Sequence, residues 1–186
     1  MNGKQRIAEQ SRIWLWEAFI SLLQEKDYEV ITISEIADRA QLSRRTFYRS
    51  FKSKEALVDY YCDHQIDRYF NLLRTQPALS IKQILVLFFN SWLTQRDTLR
   101  LLIQNHLFDR LLSKWTNRST TIYEIFPAPW HIQGSPEEIT YIMAFSTAGF
   151  WHVLQIWLMK ENPESPERLT ATFLRALRKM AVNLED

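Results

Sequence analysis

Glycine is nearly absent from this chain of 186 residues, and that scarcity limits its fold more than any other feature. Only Gly3, Gly134 and Gly149 occur, and the six prolines all lie at or after Pro77, mostly where other signals also mark helix ends. Glycine supplies the backbone conformations that other residues avoid, so this distribution points to an all-α protein. It also removes the glycine-rich cradle on which a Rossmann or P-loop nucleotide site depends. With 46% hydrophobic residues the chain can bury a substantial core.

Periodicity and capping signals divide the chain into helices. A first helix is expected from about Ile7 to Glu25, with Leu15, Ala18, Phe19 and Leu22 on one apolar face. Thr32 and Glu35 spell a capping box, each side chain accepting from the other residue's backbone N–H, and open a short helix with Ile33, Ile36, Ala37 and Ala40 on its apolar side. A turn, Gln41-Leu42-Ser43, leads to Ser43 as N-cap of a third helix, Arg44 to about Ser50, which can bury only Phe47. Ser53 caps a long fourth helix ending near Pro77, and Ser80 to Gln83 forms another capping box. Residues 105–125 read as further helix, interrupted by Pro127 to Gly134. Ser135-Pro136-Glu137-Glu138 combines an N-cap, a proline at the first helical position and a capping glutamate, and Ser165-Pro166-Glu167 repeats the signal for a last helix ending near Leu184. The expected architecture is an N-terminal three-helix helix-turn-helix domain over residues 1–61, then a C-terminal helical regulatory and dimerisation bundle over 62–186.

The net charge of +2 conceals a local concentration. Arg44, Arg45, Arg49, Lys52 and Lys54 fall in a stretch without a single acid, whereas from Cys62 onward 13 basic residues face 12 acidic ones. Positive charge gathered in one short segment is what a polyanion-binding surface requires. Two short helices joined by a three-residue turn, on the floor of a preceding amphipathic helix, can present the second of them to the DNA major groove. On that helix Arg44 and Arg45 can each bond guanine O6 and N7, the commonest specific base contact. Tyr48, Arg49, Lys52 and Lys54, with the N-caps Thr32 and Ser53, suit phosphate oxygens. Ser34 and Ser43, at the openings of the two short helices, complete the expected DNA face. Such a basic helix can also be an ordinary solvated surface, so the motif around it matters.

That motif, ITISEIADRAQLSRRTFYRSFKSKEAL over residues 31–57, resembles the DNA-binding domain of the TetR family of bacterial transcription regulators. The family pattern has a T-[VI]-x-x-IA opening, a T-[LF]-Y in the recognition helix and an F-x-[SN]-K-E-x-L closure, and all three elements are present. The resemblance extends over about residues 12–61. It implies that Arg44, Arg45, Thr46, Tyr48 and Arg49 face DNA and that Lys54 grips phosphate at the start of the fourth helix. Two departures stand out, Asp27 and Gln41, where many members carry glycine. A positive φ at Gln41 would cost about 1 kcal/mol.

After residue 61 the resemblance is faint, confined to FSTAGFWHVLQIWL and ESPERLTATFLRAL, which are similar to the two helices that pair across the dimer axis in some members. It implies a dimer interface at Ala144, Ala148, Trp151, His152 and Gln155 on one helix and at Leu169, Phe173 and Leu177 on the next. Aromatic residues are plentiful here, and most are expected in the core. Read functionally, Tyr61, Phe88, Trp92 and Phe145 wall a ligand cavity, with His64, Gln65 or His106 orienting the ligand. The implied partners are double-stranded operator DNA, a second copy of the chain and a small apolar or aromatic effector. Two recognition helices about one DNA turn apart call for a palindromic operator, and the long fourth helix is the expected lever between effector and DNA.

Other classes find little support. Cys62 is the only cysteine, and no CxxC, HExxH or Cys/His ladder indicates a metal, so neither metal nor cofactor is expected. Cys62 and His64 stand two apart, about 200° around a helix, which spoils a nucleophile–base pair, and an enzyme is not expected. The start MNGKQRIAEQSR is charged where a secretory signal is apolar, and no run reaches about 18 uninterrupted apolar residues. A cytoplasmic protein away from the membrane is therefore expected. The rival reading is a helix-turn-helix regulator whose arginine face meets an acidic protein partner instead of DNA.

Overall fold

The computed structural model describes residues 3–118, 131 and 133–182, and among these are nine helices and no strand. They are α1 (Gly3–Leu23), α2 (Ile33–Arg39), α3 (Arg44–Ser50), α4 (Lys54–Arg74), α5 (Ile81–Leu93), α6 (Arg96–Gln104), α7 (Phe108–Thr116), α8 (Pro136–Met159) and α9 (Pro166–Val182), with a 3-10 turn at Tyr28–Val30. The helix expected across residues 119–125, most of the loop expected from Pro127 and the helix end near Leu184 lie outside the described residues. The all-α expectation is met. The chain forms two compact units, Met1–Ile66 with Asp97–Lys114, and Asp67–Arg96 with Trp115–Asp186. The first takes in α6 and most of α7, which lie beyond the boundary expected after residue 61.

In the first unit, Leu15, Ala18, Phe19 and Leu22 of α1 are buried as their spacing requires, against Ile36 and Ala37 of α2 and Phe47 of α3. α1 starts earlier than expected, at Gly3, and stops at Leu23, so its first two turns carry the exposed Ile7 ahead of the core face. α2 opens on the anticipated capping box: the Glu35 N–H donates to Thr32 Oγ1 over 3.2 Å and the Thr32 N–H to Glu35 Oε2 over 2.9 Å. Ser43 caps α3 by accepting from the Thr46 N–H at 3.1 Å.

Two helices of this unit end on a non-glycine residue in the left-handed region, Gln41 (φ 54°) after α2 and His106 (φ 57°) after α6. In each case the following N–H reaches five residues back, Leu42 to Ala37 at 2.9 Å and Leu107 to Leu102 at 2.8 Å, the Schellman arrangement. The break at His106 was invisible in the sequence because no glycine marks it. A side chain in this conformation costs about 1–2 kcal/mol, against about 0.4–1 kcal/mol of extra unfolded-chain freedom that glycine brings. Gln41→Gly should therefore stabilise the protein slightly, by about 0.5 kcal/mol, and Gln41→Ile should destabilise it, as denaturant titration of the two variants will show.

Three ion pairs recur at four-residue spacing between α4 and the α7 region. Asp59 accepts from Nε and Nη2 of Arg110 at 2.8 and 2.9 Å, and Lys114 donates to Asp63 at 2.8 Å, both within the first unit. Within the second, Arg118 bonds Asp67 at 2.6 Å and its guanidinium lies over the Phe70 ring. The second unit is built on an aromatic cluster, Tyr69, Phe88, Trp92, Trp115 and Trp151, all at most 6% exposed. α9 packs on α5, and the guanidinium of Arg96 donates to the carbonyls of Leu158 and Lys160 as α8 ends.

Candidate nucleic-acid interface

The unit's own packing decides which side chains of α3 remain outside. Phe47 points inward and is fully buried, with its ring edge-on to Tyr48 and tilted against Phe51 at 5.8 Å. One buried residue on a seven-residue helix leaves Arg44, Arg45, Tyr48 and Arg49 exposed along one side, with Tyr48 51% accessible. Among the described residues, the side chains of Arg44, Arg45, Arg49 and Lys52 make no ion pair or hydrogen bond. Several arginines elsewhere are engaged, Arg12 with Glu9, Arg39 bidentate with Glu25, Arg110 with Asp59 and Arg118 with Asp67. Unpaired cations with tyrosine hydroxyl and helix N-terminus alongside are a surface set to receive phosphates and guanine edges.

The remaining expected DNA residues divide by how their polar atoms are used. Ser34 and Ser53 are half-buried, and Ser53 caps α4 by accepting from the Ala56 N–H at 3.2 Å. Thr32 and Ser43 are exposed but serve as caps, and Thr46 Oγ1 lies 3.0 Å from Ser43 Oγ. Lys54 differs most from expectation. Its ammonium donates to the carbonyls of Tyr28 (2.9 Å) and Ile31 (2.7 Å) and sits 4.3 Å from the centre of the Tyr28 ring. Two of its three N–H donors are thus committed inside the domain, so Lys54 is first a staple between the 3-10 turn and α4.

Tyr28 is the hub of that staple and had no sequence signal. Its N–H donates to Asn105 Oδ1 at 2.9 Å, across 77 positions of chain, and its hydroxyl donates to Glu55. The Glu55 carboxyl is held down at about 2 by the Ser53 hydroxyl, the Tyr28 hydroxyl and its own backbone N–H. Glu35 is likewise held at about 2, by the Lys26 ammonium first and then by the backbone and hydroxyl of Thr32. Both carboxyls bind protons less readily folded than unfolded, so their contribution is complete above their ordinary value of 4.5 and is lost as pH falls toward about 2. Glu35→Gln and Glu55→Gln should each flatten the loss of stability over that window, measured by chemical denaturation between pH 5 and pH 2.

The second unit holds a cavity of about 250 Å3 between α4, α5 and α8, with Tyr69, Phe88, Trp115, Ser146, Thr147 and Trp151 on its wall. Of the residues expected to hold a ligand, Phe88 is on this wall. Trp92 belongs to the same aromatic cluster but lies behind the wall, and Phe145 is 57% exposed on the other side of α8. The other four are in the first unit. Tyr61 stacks on Trp16 at 4.0 Å, His64 stacks on Tyr60, Gln65 is buried, and His106 is the helix-ending residue described above. Tyr69 and Trp115 were missed because a helical aromatic reads equally as core.

Of the expected dimer residues, Ala144, Ala148 and His152 are exposed, and Gln155, Phe173 and Leu177 are partly so. Trp151 and Leu169 are 1% and 7% exposed, taken up by the chain's own core, and so are closed to a partner. Neighbouring helix positions differ by about 100°, which separates inward Trp151 from outward His152. The outer side of α8 presents Tyr141, Phe145 and Ile156 instead, at 70%, 57% and 54% exposure. This apolar outer side explains why α8 alone among the described helices is long and apolar enough to cross a membrane.

An acid-free, outward-facing helix on a three-helix N-terminal domain defines a helix-turn-helix DNA-binding regulator. Residues 16–61, about a quarter of the chain, match the sequence model of the bacterial regulatory proteins, tetR family. Among solved structures, the TetR transcriptional regulator from Streptococcus agalactiae 2603V is 25% identical, with 93% of this chain and 96% of that one covered and a TM-score of 0.63. Lin0861 from Listeria innocua shares the fold with a TM-score of 0.78 at 14% identity, covering 97% of this chain and 95% of its own. AlkX from Dietzia sp. does so at 0.53 and 18% identity, covering 89% and 92%. No curated protein matches the chain.

Proposed function

We propose that this chain is a repressor that binds a palindromic operator as a homodimer and releases it when a small apolar or aromatic effector occupies the second unit. The observation that carries the DNA-binding half is the unpaired state of Arg44, Arg45, Arg49 and Lys52 beside exposed Tyr48. Burying an acidic protein against the same face is the rival, and it predicts no sequence preference among duplexes. The repressor sense follows AlkX, a TetR family repressor implicated in the biodegradation of n-alkanes. DNA as partner places the protein in the cytoplasm.

Dimerisation is supported by the outer side of α8, where Tyr141, Phe145 and Ile156 leave apolar surface in water while Ala144 and Ala148 permit close approach. Introducing charge there, as Phe145→Glu with Ile156→Glu, should convert the protein to monomers in sedimentation without unfolding it. Operator affinity should fall as dimerisation is lost, because each half-site alone carries half of the contacts. Selection of bound sequences from a random duplex library at stated salt tests the whole reading. A palindromic consensus is expected, with affinity falling steeply between low and moderate salt. Binding without sequence preference, or a wild-type monomer, would overturn it, and a reporter gene downstream of the selected site decides whether occupancy represses.

A further inference from the structure

The described wall of the cavity in the second unit is of one electrical kind. Its described lining side chains carry no carboxylate, lysine or arginine, and burial lowers the proton affinity of His131, the one basic group on the wall. Tyr69, Phe88, Trp115 and Trp151 meet at ring-centre separations from 5.1 Å (Trp115 and Trp151) to 5.9 Å (Phe88 and Trp115), mostly edge to face. Such a wall offers both ring faces and ring edges to a flat guest. Three hydroxyls stand on it, those of Tyr69, Ser146 and Thr147; Tyr69 is 5% exposed, and its hydroxyl makes no hydrogen bond to a described residue. A guest that pairs with this hydroxyl gains a hydrogen bond in surroundings that hold little water.

We propose that the cavity takes a flat, uncharged aromatic molecule of one or two rings bearing a single hydroxyl or carbonyl group, which pairs with the Tyr69 hydroxyl. The inference rests on reading the second unit as the effector domain and names the chemistry it senses. Size sets the ring count. A dry apolar cavity of about 150 Å3 holds benzene, so about 250 Å3 scales to roughly ten heavy atoms, short of the pockets of 300–1,000 Å3 that take drug-sized molecules. The described wall disfavours charge of either sign. A carboxylate would enter without a cation to meet it, and a quaternary ammonium, although attracted to ring faces, would lose its water without an anion to replace it. Burial drives the Tyr69 ionisation far above its usual range, so the phenol stays a donor at any physiological pH.

Calorimetric titration of the full chain with 2-naphthol, 2-naphthoate and tetramethylammonium tests this, with tryptophan fluorescence as a second readout because Trp115 and Trp151 are on the wall. One 2-naphthol per chain is expected, bound at least tenfold more tightly than either charged probe. Tyr69→Phe, which keeps the ring, should weaken 2-naphthol several-fold and leave naphthalene unchanged, and Ser146→Phe should fill the space and abolish both. If Ser146→Phe fails to fold, the Tyr69→Phe comparison still decides. No binding of 2-naphthol up to its solubility, tighter binding of a charged probe, or equal losses for naphthol and naphthalene in Tyr69→Phe would each overturn the proposal. The titration contains no DNA, so its failure and a failure of the operator reading are separate results.

Discussion

Arg44→Ala together with Arg45→Ala is expected to lower operator affinity by about 1,000-fold while leaving binding to scrambled duplex much less affected. Neither side chain packs against the domain, so the fold should survive their removal. Each bidentate arginine–guanine contact is worth about 1–3 kcal/mol of discrimination, so two per half-site over two half-sites total at least about 4 kcal/mol. That is comparable to the low end of the gap between specific and non-specific DNA binding, about 4–10 kcal/mol. The double variant should therefore bind its operator barely better than random sequence. Competition titrations at one salt concentration measure both affinities together. Equal losses on operator and scrambled duplex would reassign the two arginines to phosphate.

Phe47→Ala should remove DNA binding by a different route. The ring is completely buried beneath α3 and is that helix's only fully buried side chain, so it is the main anchor of α3 on the domain. Truncating a buried phenylalanine costs about 3–5 kcal/mol, a large part of the roughly 5–15 kcal/mol that keeps a domain folded. Denaturant titration should show the loss, with α3 unfolding and operator binding disappearing even though every exposed basic side chain is retained. Phe47→Leu, which refills most of the space, should recover most of the stability and the binding. If Phe47→Ala left stability unchanged, the account of how α3 is held would be wrong.

The exposed basic face of α3 was legible from sequence because its signals are local. Thr32 with Glu35, Ser43 with Thr46, and the single inward phenylalanine of α3 all act within one turn of helix, so spacing alone identifies them. The cavity was not. Tyr69 and Trp115 come together from helices far apart in the chain, and nothing in the periodicity of either distinguishes a wall residue from a core residue. For the same reason Phe145 read as a pocket residue, although it faces outward one position from Ser146, which lines the cavity. Lys54 shows the limit within a motif: its place in the F-x-[SN]-K-E-x-L closure marked it for phosphate, while two backbone carbonyls brought close by folding claim most of its donors.

Sequence alone determined the capped helix starts and the acid-free basic face, since each depends on residues three or four apart and a backbone that hydrogen-bonds locally. Tertiary structure alone decided which polar atoms stay available. Tyr28 with Asn105 and Lys54 with Ile31 meet only once the chain has collapsed. So do the rings that enclose the cavity, because a contact between distant residues depends on how helices pack and leaves no periodic trace.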